Sequence, residues 1–370
     1  MTSGVLDAAA GAPPARTSGG PTASDSPVVA TVVAPEAGET LELWQRRLAR
    51  ARAVLDTYVT QAQYPFDSRP ISEKPDLLLP YRGVPMQVPL RGADGTVALA
   101  GALELRQDRF NVVGDEGVHL FLSCAQAGNG EPCAVAMAEA RVASAEQAAR
   151  FPGVPVAFAD NGLDGDAVAS DGIFTTHLVP ARQGFTGYHG YIETGLQVRL
   201  EGKLFAASFM ILYTPVPPAR FTGKVRERLA AGSLDLMVEL DVHKPGHYLV
   251  HGRVDDALGR SFAFLAFNDQ LEAGLREVPL QLFGKLVLDQ NAQAPFTLRD
   301  IDGHLLLEDA DPDRELMLTL AGAVHRTAAY PRSSFSEAVW DSEEKQRYVT
   351  EFSKDVAQAE AAVARLGGRP

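Results

Sequence analysis

The feature that most constrains this chain is a long succession of short apolar runs, rich in Val, Leu, Phe and Ala and separated by turns of Gly, Asn and Asp. The runs at 97–105, 118–124, 133–143, 154–159, 172–178, 191–200 and 204–213 form one set. Runs at 234–242, 247–254, 261–267, 278–287, 296–301 and 316–325 form a second. Segments of this length and composition read as strands, and their regular spacing between turn residues predicts an all-β sandwich. The stretch from Tyr213 to Pro218 interrupts the pattern with Pro215, Pro217 and Pro218, which end a strand and stiffen a connection. Two sandwiches in tandem, 91–218 and 219–330, follow from that break.

The ends of the chain read differently. Residues 1–39 are dominated by Ala, Gly, Pro, Ser and Thr and cannot bury enough apolar surface to offset ordering, so the segment is expected to be a disordered leader or linker. Its first residues lack a basic stretch and an apolar stretch of signal-peptide type, so the chain is either cytosolic or has had a signal removed. From Thr40 the residues Leu41, Trp44, Leu48, Ala51, Leu55, Tyr58 and Val59 recur at helical spacing, with Thr40 as N-cap and Glu42 in the first turn. Pro65, Pro70, Pro75, Pro80 and Pro85 then forbid helix and predict an extended strap, so 40–90 reads as helix plus strap. Within 331–370, Val349, Phe352, Val356, Ala359, Val363 and Leu366 predict a second helix ended by Gly367 and Gly368.

Charge and cysteine content narrow the function classes. The net charge of −13, from 47 acidic and 34 basic residues, argues against nucleic acid as a partner and favours cations. No stretch approaches the roughly 18 uninterrupted apolar residues of a membrane-spanning helix. The two cysteines, Cys124 and Cys133, are too few for a disulfide-dense miniprotein or a cysteine-rich zinc protein. A loop containing Gly128, Asn129 and Gly130 separates them. They can bridge a hairpin end after export, or remain two buried thiols in a reducing compartment.

The densest polar cluster runs from Asp160 to Gly172, between two predicted strands. A hard cation such as Ca²⁺ needs roughly six to eight oxygens at about 2.3–2.6 Å, which a short loop supplies when acidic side chains alternate with glycines that let the backbone wrap. Asp160, Asp164, Asp166 and Asp171 offer carboxylates and Asn161 an amide oxygen. The loop is not an EF-hand, because a strand follows it and no Glu closes it. The same residues also suit a solvated turn, Asp, Asn and Gly being the commonest turn formers. A second acidic stretch, Asp300, Asp302, Glu308, Asp309, Asp311 and Asp313, reads as a solvated loop held apart by its own repulsion. His247 and His251 fall on one face of a predicted strand, but no His-Glu-x-x-His pattern supplies the rest of a zinc site. Nucleophile-elbow, P-loop and dinucleotide-binding motifs are all absent from the sequence, which moves the balance away from an enzyme.

Two resemblances extend this reading. Asp160, Asn161, Gly162, Gly165, Asp166, Asp171, Gly172, Phe174 and Thr175 resemble the signature D-D-G-x-x-G-D-x-x-x-x-D-G-x-Y-T of Ig-like β-sandwich domains in bacterial secreted and surface proteins. Asn161 stands for the second Asp of that signature and Phe174 for its Tyr. The segments 64–76, 246–252, 282–286 and 294–300 are similar to the domain-of-unknown-function 4785 family and the related choice-of-anchor X proteins. The resemblance implies a mainly β chain of two tandem Ig-like sandwiches with flanking N- and C-terminal helices, exported by a Gram-negative bacterium to the periplasm, cell surface or medium. It implies a structural Ca²⁺ in the Asp160 loop, a Cys124–Cys133 disulfide, and non-catalytic binding of a glycan or protein. The alternatives are a secreted hydrolase acting on polysaccharide or peptide through a carboxylate pair, and a structural subunit of a surface assembly.

Overall fold

The structure, a computed structural model, describes residues 40–75, 86–92, 97–123, 133–163, 165–200 and 203–367. Residues 1–39, where a leader or linker is expected, Cys124 and Asp164 lie outside the described residues. The chain divides into two compact units, one formed by residues up to Tyr58 together with those from Glu344, the other by Val59–Glu343.

The first unit pairs helix α1 (Leu41–Gln61) with the C-terminal helix α3 (Glu343–Arg365). The N-cap expected at Thr40 forms, its Oγ1 accepting the Leu43 N–H at 3.3 Å. Trp44 and Leu48 pack on Ala359, Ala362 and Val363. Tyr58, near the other end of α1, meets Tyr348 and Phe352 near the start of α3 at ring separations of 5.7 and 5.3 Å. The helices therefore run antiparallel, joined also by an Arg52–Glu360 ion pair at 2.7 Å. Two ends of the sequence that are each amphipathic cover one another's apolar stripe. Among the described residues no helix is long and apolar enough to cross a membrane.

The second unit is mainly β. Its strands are β1 (Ser68–Pro70), β2 (Met86–Gly92), β3 (Val97–Gln107), β4 (Asn111–Val113), β5 (Val118–Ser123), β6 (Ala134–Val142), β7 (Val154–Pro155), β8 (Ile173–Leu178) and β9 (Gly190–Leu200). They continue as β10 (Lys203–Thr214), β11 (Ala219–Ala230), β12 (Ser233–Val242), β13 (Gly246–Asp255), β14 (Ser261–Leu271), β15 (Gly274–Leu282), β16 (Thr297–Leu306), β17 (Arg314–Leu316) and β18 (Leu320–Arg326). A short helix α2 (Gly284–Asp289) follows β15.

One nine-stranded sheet has the order β7-β6-β9-β10-β2-β3-β5-β8, with β4 added parallel to β10. Alternation along β9 buries Ile192, Leu196, Val198 and Leu200, which share a core with Leu103, Leu105, Leu120, Leu122 and Ile211 of other strands. The sheet is bent so that strands from both its ends face this one core. Residues 154–159 bridge its two edges: Val154 pairs with Ala140 of β6, and Ala159 with Thr175 of β8. Only the start of the predicted 154–159 strand is regular, because those residues pair with two different edges in turn.

The second core lies between a three-stranded sheet, β11-β12-β15, and a six-stranded sheet, β1-β14-β13-β16-β17 with β18 on β16. Leu234, Leu236, Val238 and Leu240 of β12 and Val278 and Leu280 of β15 meet Tyr248 and Val250 of β13, Phe262 of β14 and Leu298 of β16. The proline-rich segment differs from a pure strap at both ends. Its start forms β1 on the edge of β14, and its end forms β2 inside the nine-stranded sheet. Strand β11 has no counterpart among the predicted runs because its apolar content is low. It lies at a sheet edge, with Lys224 paired to Glu239 on the adjacent β12 and Arg226 to Glu277 on β15 beyond it. The predicted run 278–287 stops at Leu282, where α2 takes over, and 316–325 divides between β17 and β18.

Candidate metal centre

The Asp160 loop joins residues 154–159 to β8, and its base is clamped by paired backbone hydrogen bonds between Ala159 and Thr175 at 2.8 and 2.9 Å. Asp160 closes it from inside, its two carboxylate oxygens accepting the N–H groups of Asp171 at 3.1 Å and Gly172 at 3.0 Å. Asp166 is buried, at 7% exposure, and its Oδ2 accepts the Gly162 N–H at 2.6 Å. Asp171 Oδ1 accepts the Ile173 N–H at 2.9 Å. These contacts converge the three side chains: Asp160, Asp166 and Asp171 each present a carboxylate oxygen within 4.8 Å of the others. Among the described residues no other His, Cys, Asp and Glu side chains form such a group, and no lysine or arginine pairs with these three carboxylates.

Two other predicted ligands stand differently. Asn161 Oδ1 accepts the Leu163 N–H at 3.0 Å, a local turn contact. Asp164 lies outside the described residues.

Gly165 shows why the loop needs glycine at that point. Its φ is +97°, and a Cβ there would lie 2.3 Å from the His119 ring. That ring is fixed from below by Asp108, with Nδ1 3.0 Å from Oδ2, and stacks on His177 at 4.3 Å with a 9° interplanar angle. The sequence reading passed over Asp108, His119 and His177. His119 and His177 stand opposite each other on β5 and β8, a juxtaposition made by strand pairing rather than by any local spacing.

The other polar clusters separate onto different partners. His247 and His251 share the outer face of β13, as alternation requires, yet His247 Nε2 is hydrogen-bonded to Asn268 Oδ1, and His251 Nε2 lies 3.1 Å from Asp302 Oδ1. Burial pushes the Asp302 carboxyl above its ordinary range, with His251 opposing the shift. Burial also lowers His304 to about 4, helped by the positive charges of Arg314 and His251. Asp300 pairs with Arg253 at 2.8 Å and Asp313 with Arg314 at 2.7 Å, whereas Glu308, Asp309 and Asp311 of the second acidic stretch are exposed. Cys133 stands one residue ahead of β6 and packs against the first core. Its predicted partner Cys124 falls outside the described residues.

No family model and no curated protein matches the chain. Among solved structures it is similar to a DUF4785 family protein from Legionella pneumophila subsp. pneumophila str. Philadelphia 1, at 13% identity and a TM-score of 0.38 over 55% of this chain and 52% of that one. It is also similar to the Yersinia pseudotuberculosis adhesin InvE, at 13% identity and a TM-score of 0.19 over 59% of this chain and 57% of that one. The chain spans little more than half the length of either structure.

Proposed function

We propose that this chain is an exported, calcium-stabilised and non-catalytic binding protein, built on two Ig-like sandwiches and carrying a Cys124–Cys133 disulfide, that recognises a glycan or protein. The observation that carries the metal assignment is the convergence of Asp160, Asp166 and Asp171 within 4.8 Å, one of them buried and none paired with a lysine or arginine among the described residues. Oxygens sharing one Ca²⁺ at about 2.3–2.6 Å lie no more than about 5 Å apart, so this donor set suits a hard cation in chemistry and in spacing. Clustered carboxylates repel one another, a cost that a bound cation removes. Asp164 and the amide of Asn161 belong to the same proposed set. The ion's role is to fix the loop between the sheet edges, leaving recognition to the surfaces that the loop holds in place.

Calorimetry tests the metal. At a Ca²⁺ concentration of about a hundred times the dissociation constant, ligation stabilises the native state by about 2.7 kcal/mol, and chelation reverses the rise in melting temperature. Asp166→Asn is expected to abolish both the binding heat and the shift. Absence of binding heat together with an unchanged melting temperature in the wild-type chain refutes the assignment.

A further inference from the structure

The loop that carries the acidic cluster also brings together the parts of a reaction within the chain. Asn161 and Gly162 form one of two Asn–Gly pairs in the sequence, the other, Asn129 and Gly130, lying outside the described residues. In such a pair the backbone nitrogen of the glycine can attack the side-chain amide carbon of the asparagine, because the glycine has no side chain to obstruct the approach. In a flexible peptide the reaction is slow for three reasons. The peptide N–H is a very weak acid, the amide carbon is a weak electrophile, and the side chain is seldom turned back onto its own backbone.

Folding acts on all three. The Gly162 N–H donates to Asp166 Oδ2 at 2.6 Å, so the attacking nitrogen already rests on a carboxylate that can take its proton. Asn161 Oδ1 accepts the Leu163 N–H at 3.0 Å, a bond that draws electron density from the amide carbon and strengthens as an oxyanion forms there. The same bond bends the side chain back along the chain and closes a small ring that contains both reacting atoms, Asn161 Cγ and the Gly162 nitrogen. Gly162 sits at φ +72°, a backbone conformation that other residues rarely adopt, so the turn that aligns these groups is tied to glycine at this position. Asn161 is exposed, which lets water in and ammonia out.

We propose that Asn161 is a self-modification site, converted to an acid through a cyclic imide. The Gly162 nitrogen bonds to Asn161 Cγ while Asp166 takes its proton. The bond from Cγ to Nδ2 then breaks, and the proton leaves with that nitrogen as ammonia. Water opens the imide, giving aspartate by attack at Cγ or isoaspartate by attack at the main-chain carbonyl. The net reaction consumes one water and releases one ammonia without oxidation or reduction. It adds a carboxylate beside Asp160, Asp166 and Asp171, so the charge of the loop rises with the age of the molecule. The reaction needs no metal and stands apart from the calcium assignment.

Peptide-resolved mass spectrometry of the full wild-type chain, incubated at neutral pH with a chelator, follows the amide-to-acid mass change at Asn161 in the folded state and in guanidinium chloride. The chelator separates the outcome from Ca²⁺ binding. A positioned general base is worth about a hundredfold or more, part of which is spent on moving the constrained backbone towards Cγ, so the folded chain should react at least about tenfold faster than the unfolded one. Asp166→Asn keeps an acceptor oxygen but no base; it should slow the folded chain by about tenfold or more and leave the unfolded rate unchanged. The folded and unfolded comparison is made on the wild-type chain and so does not depend on how the variant folds. A folded wild-type chain that reacts no faster than the unfolded one, or a folded Asp166→Asn chain that keeps the wild-type rate, overturns the proposal.

Discussion

Replacing Arg253 by Met is expected to expose the cost of stranding two buried carboxylates. Arg253 lies on the outer face of β13, where its Nε donates to Asp300 Oδ2 at 2.8 Å and its Nη1 to Asp255 Oδ1 at 3.1 Å. The side chains of Asp255 and Asp300 are 7% and 9% exposed, and that of Arg253 is 14% exposed. Breaking a buried ion pair from one side costs about 3–5 kcal/mol, because the remaining charge is left uncompensated in a poorly solvated place. Part of the loss is recovered here. Arg299 Nε lies 3.5 Å from Asp255 Oδ2, Ser261 Oγ donates to Asp255, and the Gly322 N–H donates to Asp300. These contacts set the expectation near the lower bound, about 3 kcal/mol, or a fall in melting temperature of roughly 6–12 °C for a unit of this size. Met fills much of the aliphatic volume of Arg, so lost packing is the smaller contribution. Thermal unfolding by circular dichroism measures the single variant against one that also carries Asp255→Asn and Asp300→Asn. Neutralising both acids should restore at least half of the loss. A single-variant cost under about 1 kcal/mol, or a triple variant no more stable than the single one, refutes the reasoning.

Two further expectations follow from the second core. A Cβ on Gly284 would stand 1.9 Å from the Gly232 carbonyl oxygen and 2.7 Å from the Ser336 nitrogen, both backbone atoms, so Gly284→Ala should cost more than about 3 kcal/mol in urea denaturation. Gly259, at φ +78° with open space around it, is the control: Gly259→Ala should cost only about 1–2 kcal/mol, and equal losses would contradict the steric argument. His304 has a folded-state pKa lowered from 6.5 to about 4, so between those values the unfolded chain binds the proton that the folded chain refuses. Its contribution is complete above about pH 6.5 and is lost as the pH falls towards 4; the displacement is worth at most about 3 kcal/mol, before solvent screening reduces it. A stability profile over this window should be flatter for His304→Gln than for the wild type, and parallel profiles would refute the assignment.

Much of the second unit was legible as strands because apolar alternation is a local property. A strand such as β9 must send successive side chains to opposite faces, and its buried set at Ile192, Leu196 and Val198 follows directly. The same logic explains what was missed. Strand β11 carries its paired charges on an outward face, so it lacks the apolar signature, and β4 is too short to stand out among loop residues. The helix at Gly284 was read as a continuing strand because a short apolar run is compatible with either state. Close backbone approach to Gly232 decides between them.

The candidate metal centre divides along the same line. Alternation of Asp with Gly between residues 160 and 172 is a sequence property, and with it the availability of oxygen ligands at a turn. Which oxygens converge is a tertiary property. Asp160, Asp166 and Asp171 meet because the Ala159–Thr175 bridge closes the loop at its base, whereas Asn161 is held in a local turn. Convergence of His119 with His177 and of Arg253 with Asp300 likewise has no sequence signature. By itself the sequence determined a mainly β chain with amphipathic helices at its two ends and one acidic turn suited to a cation. Only the tertiary structure decided that those helices cover each other, that a single bent sheet encloses the first core, and which charges face each other across strands. Periodicity and turn chemistry act between neighbours along the chain, while register, closure and ion pairing act between segments that only folding brings together.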